Sequence, residues 1–141
     1  MRLFHKQIKD IVRFDLRYTY GCSRDAFVQY IVLKGGDTYG VSVKLRGDDA
    51  DNRVEFEVGS NEIMKLAEIC NRYKVTKWDG FHKSNRLVLD GNSFGLVIEA
   101  QDGVKVEAQG YMRYPNGYRM FRDEVDAMFE DWYRGLDGGV L

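Results

Sequence analysis

One proline, two cysteines, two histidines and a net charge of −1 in 141 residues leave several classes of protein without their raw material. Cys22 and Cys70 lie far apart and belong to no CxxC pair or Cys/His cluster. Neither a disulfide framework nor a zinc site is expected from them, and two free thiols are. A near-neutral balance of 21 basic and 22 acidic side chains argues against nucleic-acid or membrane binding through bulk charge. No run approaches the roughly 18 apolar residues of a bilayer span, and MRLFHKQIKD at the start has no apolar stretch or cleavage site of a signal peptide. A cytoplasmic protein is expected. The GxxxxGK[ST], GxGxxG, HExxH, EF-hand and GxSxG patterns are all missing, so the common phosphate, zinc, calcium and esterase chemistries lack their signatures and no cofactor is expected.

What is present is core material, with 44% hydrophobic and 13% aromatic residues, enough for one domain over 1–141 that hides roughly 70% of its unfolded surface. Val12, Phe14, Leu16, Tyr18 and Tyr20 alternate with Arg13, Asp15, Arg17 and Thr19, the period of a half-buried strand. Ala26–Lys34 is almost continuously apolar and reads as a strand buried on both faces. Gly35-Gly36-Asp37 then connects to the alternation Tyr39, Val41, Val43, Leu45, and Val54, Phe56, Val58 make a fourth strand. The period changes at Ile63, Leu66, Ala67, Cys70 and Tyr73, an amphipathic helix with Ser60 or Asn61 as N-cap. Residues 75–86 show neither period and read as a loop, or a loop with one short strand. Leu87–Leu89, Phe94–Gln101 and Val104–Gln109 follow as strands, the last two around the hairpin signal Asp102-Gly103, and Tyr-Pro-Asn-Gly at 114–117 is a turn with Pro115 at its second position. Phe121, Val125, Met128, Phe129 and Trp132 mark a second helix ending near Gly135, with a frayed tail over 136–141. The order β-β-β-β-α-β-β-β-α gives an α+β fold, an antiparallel sheet of 6–7 strands with both helices on one face.

Asp79, His82 and Ser84 contain an acid, a base and a nucleophile within one short loop. Triads draw these groups from separate segments, so side chains that satisfy their own loop are the preferred reading. His82 and Asp79 with His5 or a cysteine show no metal-ligand spacing, and GDDADN at 47–52 lacks the calcium-loop pattern and reads as a solvated hairpin. Local charge says more. Arg72, Lys74, Lys77, Lys83 and Arg86 face a single acid, Asp79, and Arg113, Arg119 and Arg122 face none between 110 and 122. Tyr73, Trp78, Phe81, Tyr111, Tyr114 and Tyr118 interleave with them, as where anions or stacked rings are bound. Against this stands the simpler expectation that Trp78, Phe81 and Tyr114 plug the end of the core while the charges form a solvated rim.

Lys77-Trp78-Asp79-Gly80-Phe81, Leu89-Asp90-Gly91-Asn92-Ser93-Phe94, Asp102-Gly103 and Gly110-Tyr111-Met112-Arg113-Tyr114-Pro115 resemble a motif order found in a family of small bacterial domains without assigned activity: W-[DN]-G-F, L-D-G-x-S-[FW], D-G, and G-[ST]-N-x-[YF]-P. The resemblance covers about residues 75–130 and implies a shared α+β domain with no activity or cofactor attached. Tyr111-Met112 departs from the family's small hydroxyl residue and Asn.

The sequence therefore points to a non-enzymatic bacterial domain that binds a protein partner or itself, with Trp78, Phe81, His82, Lys83, Arg86, Arg113 and Tyr114 as candidate surface residues. The alternative is an enzyme for a small anionic substrate, with His82 as acid/base and Arg113 or Lys83 as the anion clamp. Nucleic-acid binding is the third and weakest class, permitted by the local basic clusters and opposed by the acidic remainder.

Overall fold

The structure, a computed structural model, describes residues 7–19, 27–45, 53–85 and 92–140, with side chains as far as Gly135. Alternating residues build β1 (Ile11–Thr19), β2 (Phe27–Gly35), β3 (Thr38–Lys44) and β4 (Val54–Val58), followed by α1 (Ser60–Arg72) and a 3-10 turn at Val75–Trp78. β5 (His82–Ser84), β6 (Ser93–Ala100), β7 (Lys105–Tyr111) and α2 (Tyr118–Val140) complete the chain. The strands form one sheet in the order β4-β3-β2-β1-β6-β7-β5, antiparallel at every pairing except β5 with β7. This is the α+β architecture the patterning implied.

One sheet face carries Phe14, Leu16 and Tyr18 of β1, Tyr30 and Val32 of β2, Val41 of β3 and Leu96 and Ile98 of β6, all buried. Leu66 and Cys70 of α1 and Phe121, Val125 and Phe129 of α2 belong to the same core. Phe129 stacks on Tyr30 with ring centroids 4.3 Å apart. Each such large side chain contributes roughly 1.5–3 kcal/mol on burial. Cys70 is wholly buried among these residues, and burial pushes its thiol up to about 12. One polar group enters the core boundary: Asp126 Oδ1 accepts hydrogen bonds from Tyr18 (2.7 Å) and Tyr30 (2.6 Å) and fixes α2 over the sheet. Burial raises its carboxyl above the usual value, although the two hydroxyls and Arg122 pull the other way.

Several details depart from the sequence pattern for identifiable reasons. β2 is buried on one face only, and Leu33 on the other is 51% exposed, because both helices lie on the same side and leave the opposite face uncovered. A register shift between Ile11 and Arg13 makes Ile11, rather than Val12, the fully buried residue. α1 starts one residue early, with Gly59 at the N-cap and Glu62 reaching back to accept the Gly59 N–H at 2.8 Å. β5 is the one short strand allowed for in the segment read as a loop or a loop with one short strand; Leu87–Leu89, read as a strand, lies outside the described residues. The proline turn is shifted by one: Tyr118 N–H bonds to Pro115 O at 3.1 Å, so Pro115 is its first residue and Gly117, at φ +87°, its third. α2 continues past Gly135 to Val140, since glycine lowers helix propensity by about 1 kcal/mol without forbidding the conformation. Among the described residues no helix is long and apolar enough to cross a membrane.

Candidate functional site

β5 is added to the sheet edge by a short series of backbone and side-chain bonds. Gly80 N–H bonds to Glu107 O (2.9 Å), Gln109 N–H to Phe81 O (2.8 Å) and Asn85 N–H to Tyr111 O (2.9 Å), while Asp79 Oδ1 accepts the Glu107 N–H at 2.9 Å. Gly80, at φ +85°, supplies the left-handed step that the turn into β5 requires. Asp79 thus serves the backbone of β7. His82 Nδ1 meets the Gln109 amide at 2.9 Å. Asp79, His82 and Ser84 accordingly do not form a triad: each of the first two is held by a residue of β7. No three His, Cys, Asp or Glu side chains group as a metal site requires among the described residues.

Docking of this segment brings it beside the connection between β7 and α2. Together they enclose a cleft of about 580 Å³ lined by Tyr73, Lys74, Lys77, Trp78, Phe81, Lys83, Arg113, Tyr114, Pro115 and Asn116. Two basic segments separated in sequence therefore converge, and among the described residues the lining holds no acidic one. Among the described residues, Lys74, Lys77, Lys83 and Arg113 take part in no ion pair. Lys83 Nζ lies 5.5 Å from the centre of the Phe81 ring. Tyr73 offers its ring to the cleft while its hydroxyl donates to Glu124 of α2, a bond that raises the tyrosine above its usual value; Arg72 pairs with the same carboxylate.

The aromatic residues divide between core and surface. Trp78 is 5% exposed and packs edge-on against Phe121 at 5.2 Å, and Phe81 lies 6.2 Å from Phe94, so these two close the end of the core. Tyr114 is 39% exposed and stacks on Tyr118 at 5.0 Å, presenting a ring at the surface. His82 does not join them. It precedes Lys83 on β5, faces the uncovered side of the sheet, and lines a separate groove there. Arg122 pairs with Asp123 and Asp126 and lies over the Tyr18 ring, away from the cleft. Arg86 lies outside the described residues, as do Cys22, His5 and the acidic 47–52 segment.

Lys74 and Lys77, which belong to the basic clusters, also line this cleft. Lys74 follows the end of α1 with φ +53° and ψ +49°, the left-handed position where helices most often place glycine. A lysine at that position carries backbone strain of about 1–2 kcal/mol while delivering its charge to the cleft. No protein-family model matches the chain, and no curated protein is similar to it.

Proposed function

We propose that this chain is a non-catalytic binding domain that holds an acidic segment of a partner protein in the cationic, aromatic cleft. The observation that carries this reading is the convergence of Lys74, Lys77, Lys83 and Arg113, none of them ion-paired among the described residues, around exposed aromatic surface. Cations left without counter-charges are complementary to an acidic ligand, and their separate segments suit an extended one. Catalysis is disfavoured because the described residues that line the cleft include neither a carboxylate nor an imidazole to move a proton. Nucleic acid is disfavoured because four local cations on a molecule of net charge −1 neutralise few phosphates. A cytoplasmic setting accompanies the reading.

A glutamate-rich peptide containing one tyrosine is the direct probe. Titration calorimetry should show binding that weakens as salt rises. Neutralising Lys77, Lys83 and Arg113 together to Gln should weaken it roughly threefold to a hundredfold, since exposed pairs contribute roughly 0.2–1 kcal/mol each and 1.4 kcal/mol is one factor of ten. Glu55→Gln, on the far edge strand, should change nothing. Equal affinity in the triple variant would remove the proposal.

A further inference from the structure

The uncovered face of the sheet holds a second concavity, and a glycine makes it. Gly95 sits in the middle of β6 with unbroken pairing on both sides, Arg17 to Gly95 to Gln109, so no bulge calls for it. Its φ is not in the left-handed region, and a Cβ built on it would meet nothing within 4 Å. Glycine within a strand weakens it by about 0.5–1 kcal/mol relative to alanine, and with neither a bulge nor crowding at this position, close approach of a ligand is one use that a strand glycine serves. Gly110 on β7 is the contrast: a Cβ there would lie 2.0 Å from Arg113 O, so packing alone requires that glycine.

The groove over Gly95, about 360 Å³, is bordered by Asp15, Arg17 and Gln29 on one side and by Glu107, Gln109 and His82 on the other. The walls are ordered by their own bonds. Arg53 Nη2 donates to Gln29 Oε1 at 2.6 Å, and Gln29 Nε2 donates to Asp15 Oδ1 at 3.0 Å, which sets one carboxylate edge. Arg17 lies 4.0 Å over the Phe27 ring, a placement that leaves the in-plane guanidinium N–H groups available. Neither Asp15 nor Arg17 forms an ion pair among the described residues. Being two apart on one strand, they share a face with about 6.6 Å between their Cα positions. On the opposite wall, His82 Nδ1 is occupied by Gln109, leaving Nε2 for a ligand.

We infer that this groove binds a free α-amino acid with a polar side chain, its carboxylate on Arg17, its ammonium on Asp15, and its side chain over Gly95 toward Gln109 and His82. A cation and an anion two residues apart on one wall, the anion oriented by Gln29 and the cation lying over Phe27, are complementary to the two charges of a zwitterion. Peptides are excluded by the same pairing, because they lack one of the two charges at each end. The site lies on the other side of the sheet from the cationic cleft and stands independently of it.

The test is a calorimetric screen of the unmodified chain against the common L-amino acids, followed by the N-acetyl and carboxamide forms of any binder. At least one polar amino acid is expected to bind with Kd of about 1 mM or tighter, and both blocked forms, Arg17→Gln and Asp15→Asn are each expected to lose binding tenfold or more. Gly95→Val should abolish binding by filling the groove. Gly95→Ala, which retains an ordinary strand backbone, should weaken it with the circular-dichroism spectrum unchanged. If no amino acid binds, if a blocked form binds as well as the free one, or if Gly95→Val retains affinity while folded, the inference is wrong.

Discussion

Met112 holds φ +57°, a conformation that costs a non-glycine residue about 1–3 kcal/mol and that Asn tolerates best among side-chain-bearing residues. In this conformation Met112 N–H bonds to Asn92 O at 2.9 Å. Met112→Asn should therefore stabilise the fold by about 0.5–1 kcal/mol, a rise of roughly 2–5 °C in melting temperature, measured by thermal denaturation. Nothing in the hydropathy of residues 110–115 exposes this strain, since it lies in a dihedral angle and not in burial. Tyr114 and Trp78 were easier to single out as aromatic, but which of them is plug and which is surface depends on α2, whose Phe121 claims Trp78.

At the scale of elements, α2 is fixed to the sheet through Asp126 as well as through its apolar stripe. A carboxyl whose folded-state value is raised favours the fold while it is protonated. Its contribution is complete below the unfolded value, near 3.8, and is lost as pH rises through the folded value. Asp126→Asn cannot ionise, so the melting temperature of the variant relative to the parent should climb between pH 3 and neutrality; a constant difference would show that burial of the charge is not felt. At the end of α1, Lys74→Gly should act in opposite directions on two observables. Stability should rise by about 1 kcal/mol as strain is relieved, and affinity for a glutamate-rich peptide should fall as a cleft charge disappears. Most elements were legible from their periods: β1, β3, β6, β7 and both helices follow alternation or 3.6-residue spacing closely. β5 was not, because three exposed residues, His82–Ser84, have no burial pattern of their own and become a strand only by pairing with β7.

Over the whole molecule, the sheet order sets β4 and β5 at opposite edges, so Glu55 and Glu57 stand far from the basic cleft and cannot neutralise it. That arrangement explains how a chain of net charge −1 can present a strongly cationic surface. The clustering of basic and aromatic residues was visible in two stretches of sequence, but their meeting depends on β5 pairing with β7, a non-local contact that neither stretch encodes. His82 and Lys83 alternate along β5, and of the two only Lys83 is among the residues that line the cleft. The opposite charges of the two edges also make self-association a competing use of the cleft, and a sizing measurement at the titration concentration distinguishes it from capture of a separate acidic segment.

The most direct measurement of the central claim is the affinity of the glutamate-rich peptide at low and at physiological salt, for the parent chain and for the Lys77→Gln, Lys83→Gln, Arg113→Gln variant. Convergence of the cations predicts salt-sensitive binding that falls roughly threefold to a hundredfold in the variant, with the fold intact by circular dichroism. Binding that is absent at low salt, or that is indifferent to those three substitutions, would contradict it.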